Sequence, residues 1–407
     1  MELGHVAVPL VRAHDRRRTP FREFVLKLHT RCNLACDYCY MYELADTAWR
    51  QVNSAMSDRV LDRVCERIAD HVGDTGRPLR VVLHGGEPMM VGVDALVRAS
   101  DRVRAAVAPQ AIVDITVQTN GVLLDDRVID RLCQAGIRIG VSLDGDRRAN
   151  DRHRRYANGR SSFDAVDRAL RSLRLRPEHF AGILSVIDLD NDPVSTFDSL
   201  LQYDPPAIDF LLPHGNWTSP PPRWSAGDTL YGDWLVAAFD RWYDAPVRET
   251  RVRFFEEVIS LALGGTSRIE TIGLSPVATV VVDVDGAYEQ IDTLRSTYPG
   301  AVDTGMNVFD HSLDEVLEHP EIQDRQIGLD ALSDDCLACP LHRICGGGYY
   351  PHRYRAETGF RNPSVYCADL GRLIRHVLPR VHADLAAVLK GRLQDGTPDA
   401  GNDASPR

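Results

Sequence analysis

Nothing in this 407-residue sequence reaches the roughly 18 consecutive apolar residues that a membrane-spanning helix needs. The opening stretch, MELGHVAVPLVRAHDRRR, has neither an apolar core nor a cleavage site of signal-peptide type. No basic patch stands out either. With 47 Lys and Arg against 58 Asp and Glu, the net charge is −11, which argues against nucleic acid as a partner. No repeat is visible beyond a strand–helix alternation. These absences predict a cytoplasmic protein that engages neither membrane nor nucleic acid. They also bear on the nine cysteines. In such a compartment cysteines read as metal ligands or buried thiols, not as a disulfide framework. What remains is ordinary globular composition, 44% hydrophobic and 26% charged, enough for one large domain or two.

From Phe21 to about Tyr203 short apolar runs alternate with amphipathic stretches. Strands are predicted at Glu23–His29, Arg80–Leu83, Ile112–Gln118, Ile137–Ser142, Gly182–Ile187 and Ile208–Leu212. Val60, Leu61, Val64, Ile68 and Val72 repeat at helical spacing, as do Val128, Ile129 and Leu132. Repeated βα units imply a parallel sheet with helices outside. Six units suit an α/β fold of the open, partial (β/α)6 barrel type; spacing alone leaves a doubly wound sheet open. Pro213–Trp224 is proline-rich and marks a boundary or a functional loop. Helices are predicted over about Thr229–Tyr243 and Arg251–Leu263, and a β-hairpin over Thr279–Tyr288 turning at Asp285-Gly286. A cysteine-rich module and a helix from about Ala368 to Leu389 follow, then a tail, Asp395–Arg407, of disordered composition. The expected division is an N-terminal extension (1–20), the partial barrel (21–225), a bridging region with the cysteine module (226–370), and a helix with its tail (371–407).

Three cysteines, Cys32, Cys36 and Cys39, lie on the loop after the first strand in a C-x3-C-x2-C pattern. Three thiolates on one loop can hold three irons of a 4Fe–4S cubane and leave the fourth open. A zinc knuckle is the alternative, though structural zinc normally wants a fourth ligand. After the second strand comes His84-Gly85-Gly86-Glu87-Pro88; after the third, Gln118-Thr119-Asn120-Gly121; after the fourth, Ser142-Leu143-Asp144-Gly145, then Arg154. Singly each is a weak signal. Their order at successive strand ends is a strong one, because β/α barrels gather their active sites there. Four more cysteines, Cys336, Cys339, Cys345 and Cys367, offer full ligation for one 4Fe–4S cluster or for a zinc ion. Cys65 and Cys133 sit on apolar helix faces and read as core.

The cysteine spacing, with Tyr38 before the last thiol and the glycine-rich motif after strand two, resembles the radical S-adenosylmethionine (SAM) superfamily. The resemblance implies that Tyr38, His84, Gly85, Gly86, Glu87, Asn120, Ser142 and Arg154 bind SAM, with Glu87 and its backbone edge receiving the methionine amino group. Ser142 and Arg154 would meet the ribose and carboxylate. The C-terminal cysteines resemble the SPASM extension of peptide-modifying members. A complete module has seven cysteines and two auxiliary clusters, but Ile291 and Tyr349 stand where two of them are expected. One auxiliary cluster is therefore expected, and two 4Fe–4S clusters in all. Asp292 occupies a position that serves as proton acceptor in some members.

The stretches FREFVLKLHTRCNLACDYCYMYELADTAWR and CGGGYYPHRYRAETGFRNPSVYCADL resemble the FxsB-type peptide maturases. That implies an oxidoreductase that uses a 5′-deoxyadenosyl radical to cross-link an aromatic ring to a β-carbon of a ribosomally made precursor peptide, forming a cyclophane. An electron donor such as flavodoxin or ferredoxin is implied as well. Alternatives are thioether or ether linkage, epimerisation, sulfatase maturation, or a non-catalytic leader-binding scaffold. Only about twenty residues precede strand one, too few for a recognition domain of ordinary size. The peptide is expected to lie across the strand ends, lined by Pro213–Trp224 and the Gly346–Tyr350 turn. His84, His352 and Asp369 are further polar candidates.

Overall fold

The structure, a computed structural model, describes residues 18–73, 76–108 and 110–394. Most of the expected N-terminal extension and the expected tail from Asp395 lie outside the described residues. The strands are β1 Glu23–His29, β2 Leu79–Gly85, β3 Val113–Thr119, β4 Arg138–Ser142, β5 Phe180–Val186, β6 Ala207–Leu211, β7 Arg251–Val252, β8 Thr279–Val282, β9 Ala287–Glu289 and β10 Asp303–Asn307. They form one sheet in the order β10-β9-β8-β1-β2-β3-β4-β5-β6-β7, and it is not closed. From β8 to β7 every neighbouring pair is parallel; β8, β9 and β10 form an antiparallel meander.

Sequence pattern explains the layers. Helix Asp58–Val72 buries Val60, Leu61, Val64, Cys65, Ile68 and Val72, a single stripe at helical spacing laid against the sheet. Its start is fixed by Ser57, whose hydroxyl accepts from Val60 N–H. Asp125, Asp146 and Asp192 cap later helices in the same way. Cys65 belongs to the main hydrophobic core, and Cys133 is packed against it.

Three differences from the sequence expectation matter for the site. The segment predicted as helix from Arg251 opens with the two-residue strand β7 before helix Arg253–Ala262. The hairpin turns over Asp283–Gly286, with Gly286 at φ +90° donating to Asp283 O at 2.9 Å. That hairpin also joins the main sheet, because β8 pairs with β1 in register Leu26↔Val282. The sheet thus carries residues from beyond position 225 against the strand that leads into the first cysteines.

Candidate active site

The loop after β1 is wound tightly. Cys36 O accepts from Cys39 N–H (3.2 Å), Cys39 O from Glu43 N–H (2.9 Å), and Ala35 N–H reaches Arg155 O (2.8 Å). Cys32 Sγ receives Leu34 N–H at 3.4 Å and Asn120 Nδ2 at 3.6 Å. Burial pushes the Cys32 thiol up to about 11 and Cys39 to about 12, and raises Cys36 too. Three half-buried thiols with N–H donors aimed at one of them fit a positively charged metal group, which deprotonates a coordinating thiol outright. Among the described residues no three His, Cys, Asp or Glu side chains are gathered tightly enough to chelate a single ion.

Gly85 and Gly86 close against this loop. A Cβ on Gly85 (φ +144°) would stand 2.1 Å from His29 O, and one on Gly86 would stand 1.7 Å from Tyr42 Oη and 2.6 Å from Arg31 O. Glycine is required here by the cysteine loop itself lying on the end of β2. Glu87 is buried and accepts from Thr119 Oγ1 (2.7 Å), Asn120 N–H (2.8 Å) and Met89 N–H (3.0 Å). It ties the ends of β2 and β3, and of a carboxylate's roughly four lone-pair sites one remains free. Asn120 also donates to Asn33 Oδ1 at 2.7 Å, linking β3 to the cysteine loop. Ser142 Oγ, at the end of β4, accepts from Gln118 Nε2 at 3.0 Å.

Arg154 is buried at the end of helix Arg147–His153. It donates to Tyr38 Oη at 2.9 Å, and Tyr38 in turn donates to Asp144. Asp144 Oδ1 accepts from Val186 N–H at 3.0 Å, so this pairing is fixed to β5. Arg154 Nε is buried without a partner. An unpaired buried donor costs about 1–3 kcal/mol, and a ligand carboxylate would satisfy it. The set therefore fits a molecule with a carboxylate beside the three thiols.

A second polar group lies under the ends of β8, β1 and β2. Lys27, pointing inward from β1, is 1% exposed. Its ammonium is 2.7 Å from Asp292 Oδ1 and 3.4 Å from Asp283 Oδ2, and it pairs with Glu289. Arg295, also buried, reaches Asp46 (3.1 Å), Asp283 (3.6 Å), Asp292 (3.8 Å) and Glu289. Asp292 Oδ2 stands 3.9 Å from His84 Nδ1. Burial works against charge at Asp292, but Lys27, Arg295 and His84 outweigh it and hold its pKa below the usual carboxylate range. Glu289 goes the other way: burial lifts it to about 8, against the pull of Lys27 and Arg295. Burial lowers the His84 pKa, against the pull of Asp292. Exposed pairs such as Arg147–Asp164 are screened by solvent and contribute little; removing one partner from a buried set costs roughly 3–5 kcal/mol.

Facing this group is a wall of rings. Tyr40 and Tyr349 are electrostatic neighbours of Asp292. The His214 ring lies 4.9 Å from Tyr40 and 5.9 Å from His352, and His352 lies 5.3 Å from Tyr349. Burial takes His214 down to about 4 and His352 well below its ordinary value; His214 Nδ1 and His352 Nε2 have no partner. From the proline-rich loop it is thus His214 that reaches this wall. Its tryptophans do something else: Trp217 Nε1 donates to Pro363 O (2.7 Å) and Trp224 Nε1 to Val365 O (3.0 Å), docking the loop on the segment before Cys367. Asp369 accepts from Gly232 N–H at 2.8 Å and ties the final helix to helix Leu230–Tyr243.

The C-terminal cysteines come from three helices. Cys336 lies within the short helix Asp334–Ala338, capped by Ser333, and Cys339 closes it; Cys345 precedes Gly346 at φ +62°; Cys367 opens the final helix. The thiol of Cys345, lifted to about 12 chiefly by burial, also feels Cys367 and Cys336, and Cys367 feels Cys336 and Cys339. All four are neighbours in space. Ile291 and Tyr349, the two positions lacking an expected cysteine, meet in one small apolar cluster with Leu294, Ala301, Val302, Tyr298, Tyr350 and Phe360. Side chains fill the place.

Lys27, Glu289, Arg295 and His214 escaped the sequence reading. The one available signal was a lysine inside the apolar run FVLKL.

Residues 26–187 match the model of the radical SAM superfamily. The chain is similar to the cysteine-type anaerobic sulfatase-maturating enzyme of Clostridium perfringens, 23% identical over 86% of this chain and 94% of the relative. It is similar also to the serine-type enzyme of Bacteroides thetaiotaomicron, 22% identical over 86% and 87%. Among solved structures, native anSMEcpe with bound AdoMet superposes with TM-score 0.76 at 22% identity, covering 89% of this chain and 98% of that one. Streptococcus suis SuiB bound to its precursor peptide SuiA gives 0.57 at 17% identity, over 86% and 76%.

Proposed function

We propose that this chain, whose residues 26–187 match the radical SAM superfamily, is a member of it that matures a ribosomally made peptide by joining an aromatic ring to a nearby β-carbon. Its cofactors are SAM and 4Fe–4S clusters. In this proposal Cys32, Cys36 and Cys39 hold one cluster with an iron left for SAM, and Cys336, Cys339, Cys345 and Cys367 hold the other. Tyr38, His84, Gly85, Gly86, Glu87, Asn120, Ser142 and Arg154 surround the SAM. When bound, these groups supply the one-electron chemistry that removes a β-hydrogen from the peptide.

The chain's own residues do the rest. The strand ends and the ring wall shield the reacting carbon from water. Restoring aromaticity after ring attack releases a proton and an electron, and a cluster held by Cys336, Cys339, Cys345 and Cys367 would take up the electron. Asp292, buried yet held charged beside His84, accepts the proton. That carboxylate is the observation that carries the reading. An external donor such as flavodoxin or ferredoxin supplies the priming electron.

A second reading rests on the relatives, several of which are sulfatase-maturating enzymes aligned over most of this chain. Anaerobic incubation with a neighbouring short precursor peptide and, separately, with a sulfatase-derived peptide separates the two. We expect the precursor to lose two hydrogens and to acquire a loop that resists backbone fragmentation in tandem mass spectrometry. Alteration of the sulfatase peptide alone would establish the second reading.

A further inference from the structure

Arginine supplies nearly all the positive charge of this chain: there are 45 arginines and two lysines, Lys27 and Lys390. One of those two lies fully buried beneath the candidate base. Sheet register explains how it comes to be there. Lys27 on β1 is the partner of His84 on β2, and its neighbour Leu26 is the partner of Val282, the last residue of β8 before Asp283. Asp283, Lys27 and His84 therefore stand side by side at three adjacent strand ends. Asp292 and Glu289 reach the same point from the far arm of the hairpin.

We propose that Lys27 is a positioning residue for Asp292: its ammonium anchors Oδ1 and keeps the carboxylate charged, leaving Oδ2 turned toward His84. This rests on the reading of Asp292 as proton acceptor. An ammonium is a compact point charge with three donors, and three carboxylates converge on it here. Asp292 is faced by Lys27 from β1, His84 from β2, Asp283 after β8, Glu289 from β9 and Arg295 from its own turn. Tyr40 faces it from the cysteine loop and Tyr349 from the C-terminal module, while Asp46 touches Arg295 from outside. Even with Glu289 protonated, Asp292, Asp283 and Asp46 outnumber Lys27 and Arg295, so removing Lys27 leaves burial and like charge to dominate. Asp292 then holds a proton at higher pH, and the acid limb of product formation moves upward. An opposite charge at this range is worth roughly one to three pKa units.

The test is the pH profile of product formation at saturating precursor for the parent, Lys27→Met, Lys27→Arg and the double variant Lys27→Met with Glu289→Gln. The double variant removes one carboxylate together with the cation, so it keeps the experiment informative if Lys27→Met alone does not fold. Iron content and melting temperature report folding. We expect the acid limb of Lys27→Met, or of the double variant, to lie roughly one to three pH units above the parent's. Lys27→Arg keeps the charge, and its limb is expected near the parent's even where its rate is lower. A Lys27→Met or double-variant profile superimposing on the parent's would overturn the proposal, as would an equal displacement in Lys27→Arg. Asp292→Asn tests the underlying reading separately: normal product from it rejects the base, whereas an inactive Asp292→Asn with an unmoved Lys27→Met profile rejects only the positioning role.

Discussion

The two cysteine sets are built in opposite ways. Cys32, Cys36 and Cys39 share one tight loop, and the polar groups around it are left partly unsatisfied: Arg154 Nε has no partner and Glu87 keeps a free lone pair. Cys336 and Cys339 share one short helix while Cys345 and Cys367 come from two others, and Arg353 beside them is spent on the carbonyls of Gly346 and Gly348. Next to that set, Ile291 and Tyr349 stand where two further cysteines were expected, and their apolar neighbours fill the place. Three thiols beside unpaired donors leave room for a further partner; four thiols beside satisfied backbone carbonyls leave less.

The sharpest way to break this comparison is to change Cys32, Cys36 and Cys39 together to Ala. We expect iron to fall from about eight to about four per chain and 5′-deoxyadenosine formation to disappear. Four irons in the reconstituted parent, or a single zinc, would dissolve the contrast altogether. Next in size, Asp292→Asn keeps the carboxylate's shape without its basicity, and we expect cross-linked product to drop by at least about 100-fold, the lower range for general-base catalysis, while SAM cleavage continues. Liquid chromatography of 5′-deoxyadenosine beside product mass reads both at once.

Trp224→Ala probes the seam between the two regions. Because Trp224 Nε1 docks the proline-rich loop on Val365 O and its ring meets Trp217 edge-on at 5.6 Å, the loss is expected in stability, about 3 kcal/mol, read by thermal melting. A variant with parent melting temperature and slower cross-linking would return the tryptophans to the peptide path. The smallest effect is a pH dependence. Glu289 stands at about 8 in the folded chain against an ordinary 4.5, so folding takes up a proton there. Its stabilising contribution is full below about pH 4.5 and fades as pH rises toward about 8. Melting temperature should decline across that window in the parent and stay flatter in Glu289→Gln.

Much of the fold could be read in advance, for a local reason. Each of the six expected barrel strands overlaps β1 to β6, although β2 runs from Leu79 to Gly85 where Arg80–Leu83 was expected, and β5 begins at Phe180 where Gly182 was expected. Apolar runs and helical stripes mark elements well and ends poorly, because ends are set by caps and bulges such as the register shift between Lys27 and His29. The glycines of the motif after β2 were expected to make room for a ligand. In the structure they make room for His29, Arg31 and Tyr42 of the cysteine loop, a contact invisible in a one-dimensional pattern.

What the sequence determined by itself is whatever depends on neighbours a few residues apart. That includes the three thiols on one loop, the helix stripes, and the order in which Glu87, Asn120, Ser142 and Arg154 follow successive strands. Only the tertiary structure decided which groups carry charge and which are buried without a partner. Asp292 lies next to Lys27, 265 residues earlier in the chain, because β8 adds to β1 in parallel register. His214 likewise meets His352, 138 residues later, and Ile291 meets Tyr349, 58 residues later. Burial and Coulomb interaction depend on distance in space, and sheet register, not spacing along the chain, sets those distances.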